Sequence, residues 1–145
     1  MSMNLFFRSF TQQEIDEMER NHDLIDEWVD AERSSLATDV ETAWDVLSVI
    51  LDGTGILAGN AVDDALFNGC ALMSAEVVKD QAGKLSLWTH EHIRERLRNL
   101  EADSDLYRLE LYQEEEDDLL EQFDRLVAFY DEAAKQGLGA ISYAA

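Results

Sequence analysis

Between Glu115 and Gln136 the residues Leu119, Leu120, Phe123, Leu126, Val127, Tyr130 and Ala133 recur at intervals of three and four, which places them on one face of an α-helix. That face is too apolar to leave in water, and the opposite one carries Glu121, Asp124, Asp131 and Glu132. The rest of the chain must therefore supply apolar partners for one long amphipathic helix, with Phe123 and Val127 inside. Gly137 and Gly139 end it, and Ala140-Ile141-Ser142-Tyr143 reads as a closing strand.

The partners can be read from the N-terminus onward. Leu5 to Phe10 is short and aromatic and reads as a strand. Thr11-Gln12-Gln13-Glu14 has the capping-box form, so a helix begins there with Ile15 and Met18 facing inward, and Leu24, Ile25, Trp28 and Val29 continue the stripe in a second helical piece. Thr38-Asp39-Val40-Glu41 repeats that spacing. It predicts a helix carrying Val40, Ala43, Trp44, Leu47, Ile50 and Leu51, stopped by Gly53. A glycine-bearing loop follows, then a short helix or turn from Ala61 to Phe67 closed by Asn68-Gly69. Cys70-Ala71-Leu72-Met73 and Leu85-Ser86-Leu87-Trp88 each fit a short strand, and Thr89 fits the N-cap of a helix with Ile93, Leu97 and Leu100 on one side. Asp103 to Tyr112 is ambiguous. The expectation is one α+β domain over residues 1–145, with a small sheet that pairs the N- and C-terminal strands and packs against several helices.

Charge narrows the choice of partners. The formal net charge is −21, from 32 acids against 11 Lys and Arg, a field that disfavours free nucleic acid and anionic lipid and favours basic proteins. Residues 13–52 hold 13 acids and 2 Arg, and residues 101–132 hold the same, so each block is net −11. Between them, residues 79–98 carry Lys79, Lys84, Arg94, Arg96 and Arg98 against Asp80, Glu91 and Glu95, and their simplest role is to neutralise an acidic neighbour within the fold. Such a charge also resists self-association, so a monomer is expected. The start of the chain lacks a signal-peptide apolar region, no stretch reaches the roughly 20 apolar residues of a membrane span, and Cys70 has no partner for an internal disulfide. A cytoplasmic location is expected.

The ordered set of landmarks resembles the YfbM-like family of small bacterial proteins of unknown function. The resemblance is carried by Met1-Ser2-Met3 leading into a strand, Asp39 to Leu47 with Leu51-Asp52-Gly53, Ala65-Leu66-Phe67-Asn68-Gly69, Leu126 to Gly137, and Ile141-Ser142-Tyr143. It departs from the family pattern at Tyr112-Gln113, where a Tyr-Pro pair is usual, and at Leu87-Trp88, where a turn with Gly and Tyr is usual. The resemblance implies an α+β fold and a bacterial origin, and it supplies no activity.

Motifs that carry chemistry are weak. His90 and His92 lie on opposite sides of a helix and share a face, with Glu91 beside them, only if the segment is extended. The alternative is a solvated first turn in which one of them bonds a free backbone group. Gly53-Thr54-Gly55 with Gly59 follows a helix, whereas a phosphate-binding loop follows a strand and opens a helix. Cys70 has no Cys-His signature and fits a small core residue, and Ser34, Ser35 and Ser142 lack a nucleophile-elbow context. No catalytic residue, metal or cofactor is assigned.

The sharpest feature is Glu114-Glu115-Glu116-Asp117-Asp118. Acids favour a helix start, yet five in succession repel one another. These five residues are the candidate docking surface for a basic protein, and the expected function is a non-catalytic interaction protein, for instance an immunity or antitoxin-like protein that masks the cationic groove of a nuclease. The alternative is a small-ligand-binding protein or enzyme of unfamiliar type, with a pocket near residues 53–69 lined by Trp44, Trp88 or Tyr112.

Overall fold

The computed structural model describes residues 3–101 and 104–145; Met1, Ser2 and Asp103, which entered the reading above, lie outside them. Strand β1 (Leu5–Phe10) leads into α1 (Gln12–Arg20) and α2 (Asp23–Asp30), followed by β2 (Ala37–Asp39), a 3₁₀ turn (Glu41–Ala43) and α3 (Trp44–Ile50). The hairpin β3 (Asn60–Val62) and β4 (Cys70–Met73) precedes α4 (Ala75–Leu85), α5 (His90–Asn99), α6 (Leu109–Glu114), α7 (Glu116–Lys135) and β5 (Gly139–Ala144). The sheet is antiparallel throughout, in the order β2-β1-β5-β4-β3. The expected pairing of the terminal strands is its centre, with Phe6 opposite Tyr143 and Arg8 opposite Ile141.

Alternation along the strands gives the sheet two apolar faces. Phe7, Met73 and Ala140 project into the larger core, where α3 to α7 cover them. Phe10, Leu72 and Ile141 project the other way, onto Ile15 and Met18 of α1 and Ile25, Trp28 and Val29 of α2. Helix α7 is the spine of the larger core. Leu119, Leu120, Phe123, Leu126, Tyr130 and Ala133 are buried as expected, whereas Val127 is half-buried and Gln122 and Phe129 are buried beside the stripe. The Tyr130 hydroxyl donates to the Gly55 carbonyl at 2.8 Å, which ties α7 to the turn after α3.

The Thr11 capping box forms: Thr11 Oγ1 accepts from the Glu14 amide at 3.1 Å and Glu14 accepts from the Thr11 amide at 2.9 Å. Its look-alike at Thr38 does not. Thr38 pairs with Phe7 in the edge strand β2, Asp39 accepts from the Glu41 amide, and Glu41 has φ 48°, so a 3₁₀ turn intervenes and α-helical geometry begins only at Trp44. At the far end of α3, Gly53 donates to Ser48 while Asp52, at φ 53°, takes the first left-handed position that ends the helix.

Two further expectations need correction. Asn60–Val62 is a strand, because it pairs with Cys70–Met73 along the sheet edge, and only residues 63–69 form the turn. Leu85-Ser86-Leu87-Trp88 is not a strand: Leu85 closes α4, a helix started by Ser74, whose hydroxyl accepts from Val77. Leu85 is buried as an anchor of that helix, and Leu87 is left exposed.

Candidate functional site

The acidic run 114–118 spans the break between α6 and α7. Glu115 has extended φ there, and Glu116 starts the long helix. Helix α5 lies alongside and brings its arginines to the break. Arg98 forks onto Glu116 through Nε and Nη2, both at 2.8 Å, and Arg94 reaches Asp117 at 3.1 Å. The Arg98 guanidinium holds the Glu116 carboxyl below its ordinary range, and a hydrogen bond with Asp118 pushes Glu115 above its own. The basic segment thus neutralises its acidic neighbour, and Glu114, Glu115 and Asp118 have no basic partner within 4.0 Å among the described residues. Elsewhere on this side, Arg96 joins the Ile50 carbonyl to Asp52, and Arg125 braces Asp39, Glu41 and Glu121.

The opposite layer is compensated far less. Between Glu14 and Glu32, Glu14 alone has a basic partner within 4.0 Å among the described residues, Arg33 at 3.1 Å. The alternation that buries Ile15, Met18, Ile25 and Trp28 points Glu17, Glu19, Asp23 and Glu27 outward. Asp26 differs from these, since it accepts from the Leu66 amide at 3.0 Å and fastens α2 to the β3–β4 turn. Among the described residues this layer holds the longest succession of carboxylates without a basic partner, and it lies within the acidic block of residues 13–52. Only the positions of the arginines reveal the difference.

Screening should therefore stabilise the protein. At neutral pH the melting temperature is expected to rise between low and moderate NaCl, because the repulsion within these surfaces acts over about one Debye length, ~8 Å at physiological ionic strength. A flat or falling melting temperature would mean that the salt-sensitive pairs of α5 and α7 outweigh the repulsion.

The other candidates resolve into structure. His90 and His92 both lie in the first turn of α5, on different sides: His90 Nε2 meets Asp124 at 2.7 Å, and His92 stacks on Trp88. Neither ring bonds the backbone group that the solvated-turn reading expected, and no group of three metal-ligating side chains occurs among the described residues. The Gly53–Gly59 turn is filled by protein, with Gly55 bonded through its amide to Gln81 and through its carbonyl to Tyr130. Trp44 packs tilted against Tyr107, Trp88 stacks on His92, and the Tyr112 hydroxyl bonds Thr42, so the three aromatic residues do not line one cavity. Burial and the nearby Asp26 and Asp64 push the Cys70 thiol up to about 11, which favours the protonated thiol at neutral pH. Ser34 lies within 3.5 Å of Arg8, Ser35 bonds Ser9, and Ser142 is buried in β5.

One cleft of about 720 Å³ does open on the α1–α2 side, between Val29, Asp30 and Glu32, the turn residues Leu66, Phe67 and Asn68, and the strand residues Arg8 and Tyr143. Only the Leu66–Asn68 part belongs to the stretch suspected from sequence. Among the described residues no helix is long and apolar enough to cross a membrane.

Against known proteins, the family model described as "Domain of unknown function (DUF1877)" matches residues 1–143. In structure the chain is similar to YfbM from Escherichia coli, a protein of unknown function, with a TM-score of 0.66, 17% sequence identity and 98% of each chain covered. No curated protein matches.

Proposed function

From the premise that this chain belongs to the DUF1877 family of domains of unknown function, we propose that it is a non-catalytic interaction protein that docks a basic protein partner, as an immunity or antitoxin-like protein would. The observation that carries this reading is the contrast between its two acidic surfaces. Arginines from α5 hold Glu116 and Asp117, whereas Glu17, Glu19, Asp23 and Glu27 of the α1–α2 layer face outward with no basic partner within 4.0 Å among the described residues. Carboxylates left unpaired near one another raise the free energy of the isolated protein, and a cationic surface relieves that cost on contact. The docking face is thus the outer side of α1 and α2, with Glu114, Glu115 and Asp118 as the second surface.

Zero-length carbodiimide coupling of the purified complex tests the assignment, because it joins carboxylates to lysine amines in direct contact. Once a partner has been isolated from the native host, its lysines are expected to couple to Glu17, Glu19, Asp23 or Glu27. Coupling confined to residues 114–118 would move the surface to the α6–α7 break, and a partner without a basic surface would sink the docking reading.

A further inference from the structure

The cleft beside α2 holds opposite charges that do not meet. Arg8 projects from the inner strand β1 into it, half-buried, with Nε donating to the Tyr143 hydroxyl at 2.9 Å and Nη1 within 3.5 Å of Ser34 Oγ. No carboxylate of the described residues lies within 4.0 Å of its guanidinium, although the protein carries 32 acids and two of them, Asp30 and Glu32, line the same cleft. Those two carboxylates likewise have no basic partner within that distance among the described residues. A partly desolvated guanidinium without a counter-ion is costly, since the low local dielectric that would strengthen a pair also penalises the lone charge. The remainder of the cleft is mixed: Val29, Leu66 and Met3 give it apolar wall and Phe67 stands fully exposed, while Asn68, whose amide donates to the Ala144 carbonyl at 3.1 Å, and Ala145 supply polar groups. Glu32 and Leu66, on its two sides, both hold left-handed backbone, with φ 52° and 53°. L side chains adopt that conformation at a cost, so the surrounding structure keeps the walls in place.

We propose that this cleft binds a free α-amino acid with an apolar side chain. Its carboxylate would receive the guanidinium fork of Arg8, its ammonium would lie toward Asp30 and Glu32, and its side chain would rest on Val29, Leu66 and Phe67. A plain carboxylate satisfies Arg8 but meets two acids and the field of a −21 protein. A plain amine leaves Arg8 unpaired. A zwitterion bridges charges that the fold keeps apart, and its net charge of zero costs nothing in the overall field. This inference is independent of the docking reading, because it uses none of the four carboxylates assigned there.

The test is a titration of the full chain with L-phenylalanine, followed by amide and arginine Nε resonances, beside 3-phenylpropionate and phenethylamine, which each lack one charged group. L-phenylalanine is expected to give saturable shifts centred on Arg8, Asn68 and Phe67, with each analogue about tenfold weaker or more, the usual size of one charge-assisted hydrogen bond. Arg8→Gln should weaken L-phenylalanine by a similar factor. Because Arg8 is half-buried, Phe67→Ala provides a second variant: its side chain is fully exposed, the fold does not depend on it, and it should weaken binding several-fold. Absence of saturable shifts, an analogue that binds as tightly as the amino acid, or binding unchanged in both variants would each overturn the proposal.

Discussion

Phe123→Ala is expected to lower the melting temperature by roughly 10–20 °C. The side chain is buried at the centre of α7, within the larger core and edge-on to the His90 ring. Truncation removes the transfer free energy of the ring and leaves a cavity that its neighbours, Leu85 and Trp88 among them, cannot all collapse to fill, a loss of about 3–5 kcal/mol. A domain of this size gains about 5–15 kcal/mol on folding, with each kcal/mol worth about 2–5 °C. Thermal unfolding followed by circular dichroism measures it. A change of under ~3 °C would show that the ring is not part of a close-packed core.

Gly59→Ala is expected to cost on the order of 2–6 kcal/mol without removing a single contact. Gly59 has φ +95°, and a Cβ built there would stand 2.5 Å from the Leu72 carbonyl oxygen and 2.8 Å from Met73 Cγ. Conformational strain of about 1–3 kcal/mol adds to an overpacking penalty of similar size. Since the obstacle is the backbone of β4, relief requires the β3–β4 hairpin to shift. Gly83→Ala is the control: it lies within α4 with nothing within 4 Å of the added carbon, and it should be neutral or slightly stabilising. Equal unfolding midpoints in denaturant for Gly59→Ala and wild type would contradict this account of the hairpin.

The parts of the fold legible in the sequence are those whose signals are local and agree with one another. The stripe of α7, apart from the half-buried Val127, the Thr11 capping box and the paired terminal strands occur as expected. Thr38-Asp39-Val40-Glu41 misled because the same spacing is compatible with an edge strand, and the open edge of β1 decided the outcome. Helix α4 was hidden because Val78 and Leu85 are its only buried residues, too few to outweigh Gly83 and the apolar run Leu85–Trp88. The acidic run 114–118 could be seen directly, as could the basic segment 79–98 that neutralises an acidic neighbour, but not which carboxylates its arginines reach, since Arg94 and Arg98 lie more than a dozen residues upstream. For the same reason the unpaired state of the α1–α2 carboxylates could not be read, since a carboxylate's lack of partners is a property of the fold. The Arg8 cleft gathers residues from β1, α2, the β3–β4 turn and β5, and no window of sequence contains it.

The docking claim is tested most directly by stopped-flow association of the isolated basic partner with wild type and with the variant Glu17→Gln, Glu19→Gln, Asp23→Asn and Glu27→Gln, at two ionic strengths. These side chains face solvent or are half-buried and, among the described residues, hold no ion pair with a basic residue within 4.0 Å, so the fold should persist. Complementary charge chiefly accelerates encounter, with typical gains of about 10–1000-fold. The wild-type association rate is expected to be at least about tenfold faster than the variant's at low salt, and the gap should narrow as salt is added. Exchanging Glu114, Glu115, Glu116, Asp117 and Asp118 for Gln or Asn should slow association less, because Glu116 and Asp117 are already held by arginine. Equal association rates for wild type and the α1–α2 variant at low salt would contradict the claim.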